Sequence, residues 1–442
     1  MSMGFRKRLY RNTALLSISA LVMRLLGLVW QAWLARRIGA AGLGLFQLVG
    51  SVDVLFITLS VSGIRLAAMR LLSEELGQGR PGSIRSVMVR AGGFGLLCGA
   101  CAMVLCRTLA EPIALSWIGD RRILDSLRLL SWSFPAVGVF AALSGYFAAV
   151  GRVWKTAAEQ FFEQLLRMGL TWAFLRGVDP GDMAGCCLCL VCADVITDNL
   201  SVPVMLLIYG LDRRNTEKSQ PGQALTSRFL RLAAPLALSS YAHNAVHTFR
   251  QILVPKGLQL AGASAEEALS GYGTISGMVL PLLTFLLCVP ASLSEMLVPE
   301  LTEAQAAGET AALHRSIIRL LKRTLLLSAA AGGVFWAGAD LFAGWVYHAP
   351  DCARYIRLLA PLMPLLFTDL VLSGILRGLG EMDFTLLATL AEGGAGLLAV
   401  WVLLPRSGLN GYAAALYIGE SVSFLLLSLR LRRKIKSPPQ EG

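Results

Sequence analysis

Stretches of about 20 or more mainly apolar residues recur along the whole chain, separated by short polar segments. A helix of that length crosses the hydrocarbon core of a bilayer, which is about 30 Å thick. The pattern therefore predicts an all-α polytopic membrane protein with about twelve transmembrane helices. The predicted spans are 14–35, 44–68, 86–107, 124–150, 156–176, 184–209, 229–254, 269–297, 323–345, 355–378, 382–404 and 411–430.

The basic residues outside these spans are distributed unevenly between the two sides of the membrane. If the amino terminus lies inside, most of the Lys and Arg in the loops fall on the inner side. Cytoplasmic loops of membrane proteins collect Lys and Arg, so both termini are predicted to be cytoplasmic. We accordingly divide the chain into a six-helix bundle at 1–210, a cytoplasmic linker at 211–228, a second bundle at 229–430 and a basic tail at 431–442.

Composition narrows the class of protein further. The chain has 442 residues, of which 55% are hydrophobic and 15% charged, and its net charge is +12. So apolar a composition excludes an ordinary soluble enzyme, and the positive loops explain the charge without a nucleic-acid partner. The loops hold no catalytic constellation, so no enzyme activity is predicted. The CxxC pairs of cysteines lie in apolar stretches without neighbouring histidines, so we predict no metal and no cofactor.

The two halves of the chain carry an internal repeat. A shift of 229 residues without gaps superposes predicted spans four and five on spans ten and eleven. The repeat predicts two six-helix bundles with the same orientation, and transporters built in this way bind their substrate between the repeats. The most informative matched pairs are Arg128 with Arg357, Pro135 with Pro364, Gly145 with Gly374, Glu163 with Glu392 and Trp172 with Trp401.

Three segments resemble one family of membrane transporters. They are residues 12–49, which contain the string GLGLFQ, residues 271–304, which begin GYGTISGM, and residues 372–384, LSGILRGLGEMDF. Each resembles the stage V sporulation protein B group of oligosaccharide flippases, in the superfamily that includes lipid II flippases and multidrug and toxin extrusion proteins.

This resemblance implies a V-shaped pair of six-helix bundles in the cytoplasmic membrane of a bacterium. It also implies alternating access that moves a polyprenyl-pyrophosphate-linked oligosaccharide or peptidoglycan precursor across that membrane. The process served would be assembly of the cell wall, of a capsule or of the spore envelope. The partners implied are the lipid-linked saccharide, membrane lipids and enzymes of cell-envelope synthesis.

Basic and polar side chains inside the predicted spans are candidates for a substrate cavity. A charged group in hydrocarbon is costly, so it should face water or a partner, and arginine can clamp a pyrophosphate through paired hydrogen bonds. Alternatives are an ion pair of Arg24 with Asp53, snorkelling of Arg65, and a structural role for the histidines. The cavity candidates are Arg24, Gln31, Arg65, His243, His247 and Arg250.

Acidic side chains inside the spans keep a second function open. They could carry protons or sodium, or they could neutralise charges such as Arg167. A proton- or sodium-coupled multidrug antiporter would share the fold and the repeat, with an acidic or apolar cavity in place of a basic one. The acids considered for ion coupling or structural charge are Asp53, Glu159, Glu163, Asp194, Asp198 and Glu392.

Overall fold

The computed structural model describes residues 3–61, 63–77, 83–212, 225–288, 290–291 and 310–436, and over these residues the chain is helical with no β-strand. This confirms the predicted all-α class. The first eight α-helices are α1 (Met3–Val61), α2 (Ile64–Gly77), α3 (Ser83–Pro112), α4 (Leu124–Leu130), α5 (Phe134–Ala149), α6 (Val153–Leu175), α7 (Met183–Asp212) and α8 (Leu225–Leu260). They are followed by α9 (Ala265–Tyr272), α10 (Leu280–Thr284), α11 (Thr310–Ala337), α12 (Ala339–Phe342), α13 (Cys352–Leu359), α14 (Met363–Gly378) and α15 (Met382–Lys436).

Seven helical stretches of the described chain are long and apolar enough to cross a membrane, or eight if one bent pair counts as a single span. Two of them, Leu21–Gly77 and Met382–Lys434, are 57 and 53 residues long, well beyond the roughly 20 residues of one crossing. Each is interrupted by a glycine with positive φ, Gly39 in α1 and Gly408 in α15. Each therefore contains two of the predicted spans. Helices α6 and α8 fall outside the seven because they carry more charged and polar side chains.

The chain divides into two compact units by its internal packing. Residues 45–252 form one, here called the central unit, and residues 1–44 together with 253–442 form the other, here called the split unit. The predicted division into bundles at the 211–228 linker stays a prediction, since residues 213–224 lie outside the described chain.

Irregularities in the helices recur at the spacing of the sequence repeat. A 3₁₀ turn breaks the fourth span at Ser131–Ser133, and another breaks the tenth at Ala360–Leu362, 229 residues later. A π-helical turn at Ile113–Ile118 has its counterpart at Ala343–Tyr347. Because such interruptions depend on local packing, their recurrence at one offset supports a true duplication. The left-handed residues that follow show the same offset, Gly119 with His348 and Gly151 with Gly380.

Each unit has an apolar core built from helices packed through small residues. In the central unit, Phe147 and Leu71 are almost fully buried where α2, α3 and α5 meet. A Cβ on Gly145 would lie 2.7 Å from the carbonyl oxygen of Arg65, so α5 and α2 can approach this closely only with glycine there. In the split unit, Val371 and Leu427 are buried in the cluster between α14 and α15.

Candidate functional site

The charged side chains of α6 and α7 meet at a single arginine of the central unit. Arg167 donates from Nη2 to Glu163, one turn earlier on α6. Its Nε lies 3.2 Å from Oδ1 of Asp194, and its Nη2 lies 3.3 Å from Oδ1 of Asp198, both on α7. Nε also lies 3.4 Å from the hydroxyl oxygen of Thr197. These four groups surround most of the guanidinium.

The local sequence explains why the cluster forms. Glu163 and Arg167 are four residues apart on α6, and Asp194 and Asp198 are four apart on α7, so each pair shares one helix face. The loop between α6 and α7 is short, which makes them neighbouring antiparallel helices. Charged faces avoid hydrocarbon, so the two faces turn toward each other.

A polar cavity of about 220 Å³ opens beside this arginine. Asp53 of α1 also lines it, and its Oδ1 is buried without a hydrogen-bond partner. The cavity lining therefore carries four carboxyl groups and a single guanidinium, an excess of acid in a buried place. Burying several uncompensated charges is costly, so such a site favours the uptake of cations. The remaining lining residues are Ile57, Val137, Phe140 and Ser201.

The acids predicted as ion-coupling candidates thus fall into two groups. The structure brings Asp53, Glu163, Asp194 and Asp198 together around Arg167. Glu159 is buried in the same unit but lines a different, apolar groove. Glu392 is half-buried on α15 and belongs to the split unit. In the described residues no three His, Cys, Asp or Glu side chains converge in a way that could hold a metal ion.

Helix α8 is attached to α1 by a row of polar contacts that sequence reasoning missed. Tyr241 donates to the carbonyl of Leu59 at 3.2 Å and Asn244 to the hydroxyl of Thr58 at 2.6 Å. Thr248 donates to the carbonyl of Ser51 at 2.9 Å. The i, i+3, i+7 spacing of these three α8 residues was a signal for this face.

The predicted stripe of His243, His247 and Arg250 occupies another side of α8, and all three side chains are half-buried. Gln251 lies 3.4 Å from the ring of His247. Arg250 forms no ion pair within the described chain, and neither does Arg65, which is exposed on α2.

The other two cavity candidates belong to the split unit. Arg24 is exposed on α1, and its Nη1 donates to the carbonyl of Thr284 at 3.1 Å. Gln31 is half-buried two turns later on the same helix. Within the described residues, Arg24 therefore has a neutral partner and no acidic one.

Comparison with known proteins identifies the family of this chain. Residues 9–305, about two thirds of the chain, match the family described as "Polysaccharide biosynthesis protein". The chain belongs to this family. Among its relatives, stage V sporulation protein B of Bacillus subtilis is 24% identical over 436 residues, covering 94% of this chain and 82% of the relative. Lipid II flippase MurJ of the same organism is 22% identical over 413 residues, covering 86% and 74%. The resemblance seen in the sequence is thereby confirmed.

Solved structures show how this family member folds. It is similar to an inward-facing multidrug resistance MATE transporter of the MOP superfamily, with a TM-score of 0.73, 16% identity and coverage of 95% of this chain and 98% of the other. A MOP superfamily transporter from Pyrococcus furiosus gives a TM-score of 0.66 at 15% identity, covering 96% and 95%. At these identities the similarity establishes the fold, which is that of a helical membrane transporter.

Proposed function

We propose that the protein is a flippase that moves a polyprenyl-pyrophosphate-linked oligosaccharide or peptidoglycan precursor across the cytoplasmic membrane of a bacterium. The transport would proceed by alternating access of two six-helix bundles, with both termini cytoplasmic and no covalent chemistry. The family, described as a polysaccharide biosynthesis protein, and the similarity to lipid II flippase MurJ support this substrate class.

The observation that carries the proposal is which arginines have acidic partners and which do not. Arg167 is neutralised by three carboxylates, whereas Arg24, Arg65 and Arg250 have no acidic partner in the part of the chain that the structure describes. An uncompensated arginine inside a membrane protein is costly unless it faces water or binds an anion. A pyrophosphate is such an anion, and the planar guanidinium suits it because two parallel N–H groups can bind two oxygens.

These arginines would lower the main barrier to flipping. Moving a pyrophosphate and its sugars through the membrane strips their hydration shell, and an unpaired charge in an apolar medium is very unfavourable. Fixed donors replace the lost water without further reorganisation. The polyprenyl chain can stay in the lipid throughout, so only the headgroup has to enter the protein.

The acidic cavity around Arg167 would couple the cycle to a cation gradient. Four carboxyl groups with one guanidinium can take up protons or sodium from one side and release them to the other. This cavity also supports the second candidate, a cation-coupled multidrug antiporter, because acidic cavities suit cationic drugs. Transport of a cationic drug without flipping of lipid-linked saccharide would favour that candidate.

The test is a flipping assay with the full-length protein in proteoliposomes that contain a fluorescent polyprenyl-pyrophosphate saccharide. We expect the double variant Arg24→Ala, Arg250→Ala to lose flipping while its insertion and thermal stability are kept. Arg319→Ala is the matched control, because Arg319 is exposed on α11 outside the predicted spans. Normal flipping by the double variant would contradict the anion role of the arginines.

A second measurement identifies the cargo directly. Native mass spectrometry of the protein extracted gently from its own membrane should show a bound lipid that fragments into a polyprenyl-pyrophosphate saccharide. The double variant should release it. Recovery of bulk phospholipid alone, together with drug-stimulated proton or sodium exchange in vesicles, would overturn the flippase assignment.

A further inference from the structure

An apolar groove runs along one side of the central unit between α6 and α7. Its volume is about 510 Å³. On α6 its lining residues recur every three to four positions from Trp154 to Leu166, and on α7 from Thr197 to Ile208, so the groove follows several turns of both helices. Large apolar side chains that line it are exposed, among them Phe162 at 68%. In a membrane, such a surface faces hydrocarbon.

Two acidic side chains, Glu159 and Glu163, interrupt this apolar lining. Glu159 is only 6% exposed, and its Oε2 is buried without a hydrogen-bond partner. Within the described residues its carboxyl group has no basic partner within ion-pair distance. A buried carboxylate without a counter-ion is unfavourable, and in an apolar groove no bulk water can solvate it.

Each of the other two charged groups that line the groove has an ion-pair partner. Lys155 forms an ion pair with Asp212, whose side chain is 4% exposed. Glu163 forms an ion pair with Arg167. Glu159 is therefore the lining acid that has no basic partner in the described residues, and a ligand with one positive charge would supply the missing counter-ion.

Aromatic side chains strengthen the preference for a cation. Trp154 and Phe162 line the groove five residues before and three residues after Glu159, and both are largely exposed. The Lys155 ammonium lies 6.0 Å from the centre of the Trp154 ring. Aromatic faces attract cations, most strongly where water is excluded. The groove thus combines an apolar trough, two aromatic rings and a buried acid.

We infer that this groove binds a lipophilic cation, a membrane-soluble molecule that places its positive charge at Glu159 and its apolar body between α6 and α7. The binding is independent of the flippase assignment, since the groove contains none of the three arginines proposed to bind the substrate. A simple lipid chain would leave the Glu159 oxygen without a partner, which distinguishes the two occupants chemically.

The test is saturable binding to the full-length protein in nanodiscs, with empty nanodiscs as the correction for partition into lipid. The probes are tetraphenylphosphonium and tetraphenylborate, which have nearly the same shape and opposite charges. We expect the phosphonium to bind at least tenfold more tightly than the borate. Glu159→Gln should remove that preference, and Glu159→Asp should keep most of it. Equal affinity of the two probes, or an unchanged preference in Glu159→Gln, would overturn the inference.

A second pair of variants tests the location without altering charge. Val204 lines the groove, whereas Leu207, on the same helix and 66% exposed, does not. Val204→Trp should block phosphonium binding and Leu207→Trp should leave it intact. Equal binding by both variants would place the cation elsewhere. Flipping by the wild-type protein is measured in parallel. Failure of phosphonium binding would not affect the flippase proposal, and failure of flipping would not affect the cation-binding proposal.

Discussion

The two copies of the repeat have diverged most clearly at the charged cluster. In the central unit Arg167, Asp194 and Asp198 surround one cavity. The positions 229 residues later are Gly396, Ser423 and Leu427. Leu427 is 2% exposed and belongs to the apolar core of the split unit.

The difference shows that one helical framework can hold an arginine with two aspartates in one copy, and small or apolar side chains at the corresponding positions in the other. Glutamate is present in both copies, as Glu163 and Glu392. Four residues later, however, the first copy has Arg167 and the second has Gly396. The repeat gives both copies the same helices, and only the central unit carries the arginine and the two aspartates at these positions. The comparison can be tested by variants that act on one copy, or on both.

The largest effect is expected from Arg167→Ala. Removing the guanidinium leaves Glu163, Asp194 and Asp198 without a shared counter-charge, so we expect a loss of about 3–5 kcal/mol in the free energy of unfolding. The control in the other copy is Arg357→Ala, whose exposed pair with Asp340 should contribute less than about 1 kcal/mol. Thermal melting in detergent measures both. Similar losses in unfolding free energy for the two variants would mean that the cluster around Arg167 contributes no more than an exposed ion pair.

Close packing of the two copies is compared by Gly145→Leu and Gly374→Leu. A side chain at Gly145 would meet the backbone of α2, and overpacking of this kind costs about 1–3 kcal/mol or more. We expect the folded yield of both variants to fall. Gly169→Leu on α6, where nothing lies within 4 Å of an added Cβ, should fold normally. Normal yield for both repeat variants would contradict tight packing at these positions.

Ion coupling is tested by Asp198→Asn. Removing one carboxylate from the acidic cavity should slow gradient-driven flipping by roughly tenfold, equivalent to about 1.4 kcal/mol. Flipping would be measured in proteoliposomes under a pH gradient and separately under a sodium gradient, which identifies the ion. Asp125→Asn is the control, since its side chain is 80% exposed and distant in sequence from the cluster. Equal rates in both variants would rule the cavity out of coupling.

The smallest effect concerns the residue that closes each π-helical turn. His348 has φ +54° where its counterpart Gly119 has φ +79°, and a side chain is strained in this conformation. His348→Gly should stabilise the protein by about 0.5–1 kcal/mol, and Gly119→Ala should destabilise it by a similar amount. A melting temperature lowered by His348→Gly would show that the imidazole makes a contact worth more than the strain.

The fold could be predicted from sequence because the requirement for apolar length and for internal backbone hydrogen bonds leaves a bilayer protein few choices. The helix faces that hold Glu163, Arg167, Asp194 and Asp198 could also be predicted, since they follow from i, i+4 spacing. That Asp53 of α1 joins them depends on which helices pack together, whereas Glu159 lies one turn before Glu163 on the same helix and lines the neighbouring groove. The contacts of Tyr241, Asn244 and Thr248 with α1 have the same origin, so the stripe of histidines alone did not describe α8.

The loops after α5 and α14 make one further contrast between the copies. Arg152 follows α5 and pairs with Asp212 at the end of α7, whereas Glu381, 229 residues later, pairs with Arg430 near the end of α15. Both copies thus have an ion pair between this loop and a later helix end, but the basic residue is in the loop of the first copy and in the helix of the second. Duplicated halves risk joining the wrong helices while the chain is being synthesised. If the helix end of one half lay against the loop of the other half, like charges would face each other. Arg430 would lie against Arg152, or Asp212 against Glu381. The reversed charges therefore disfavour contact between the helix end of one half and the loop of the other.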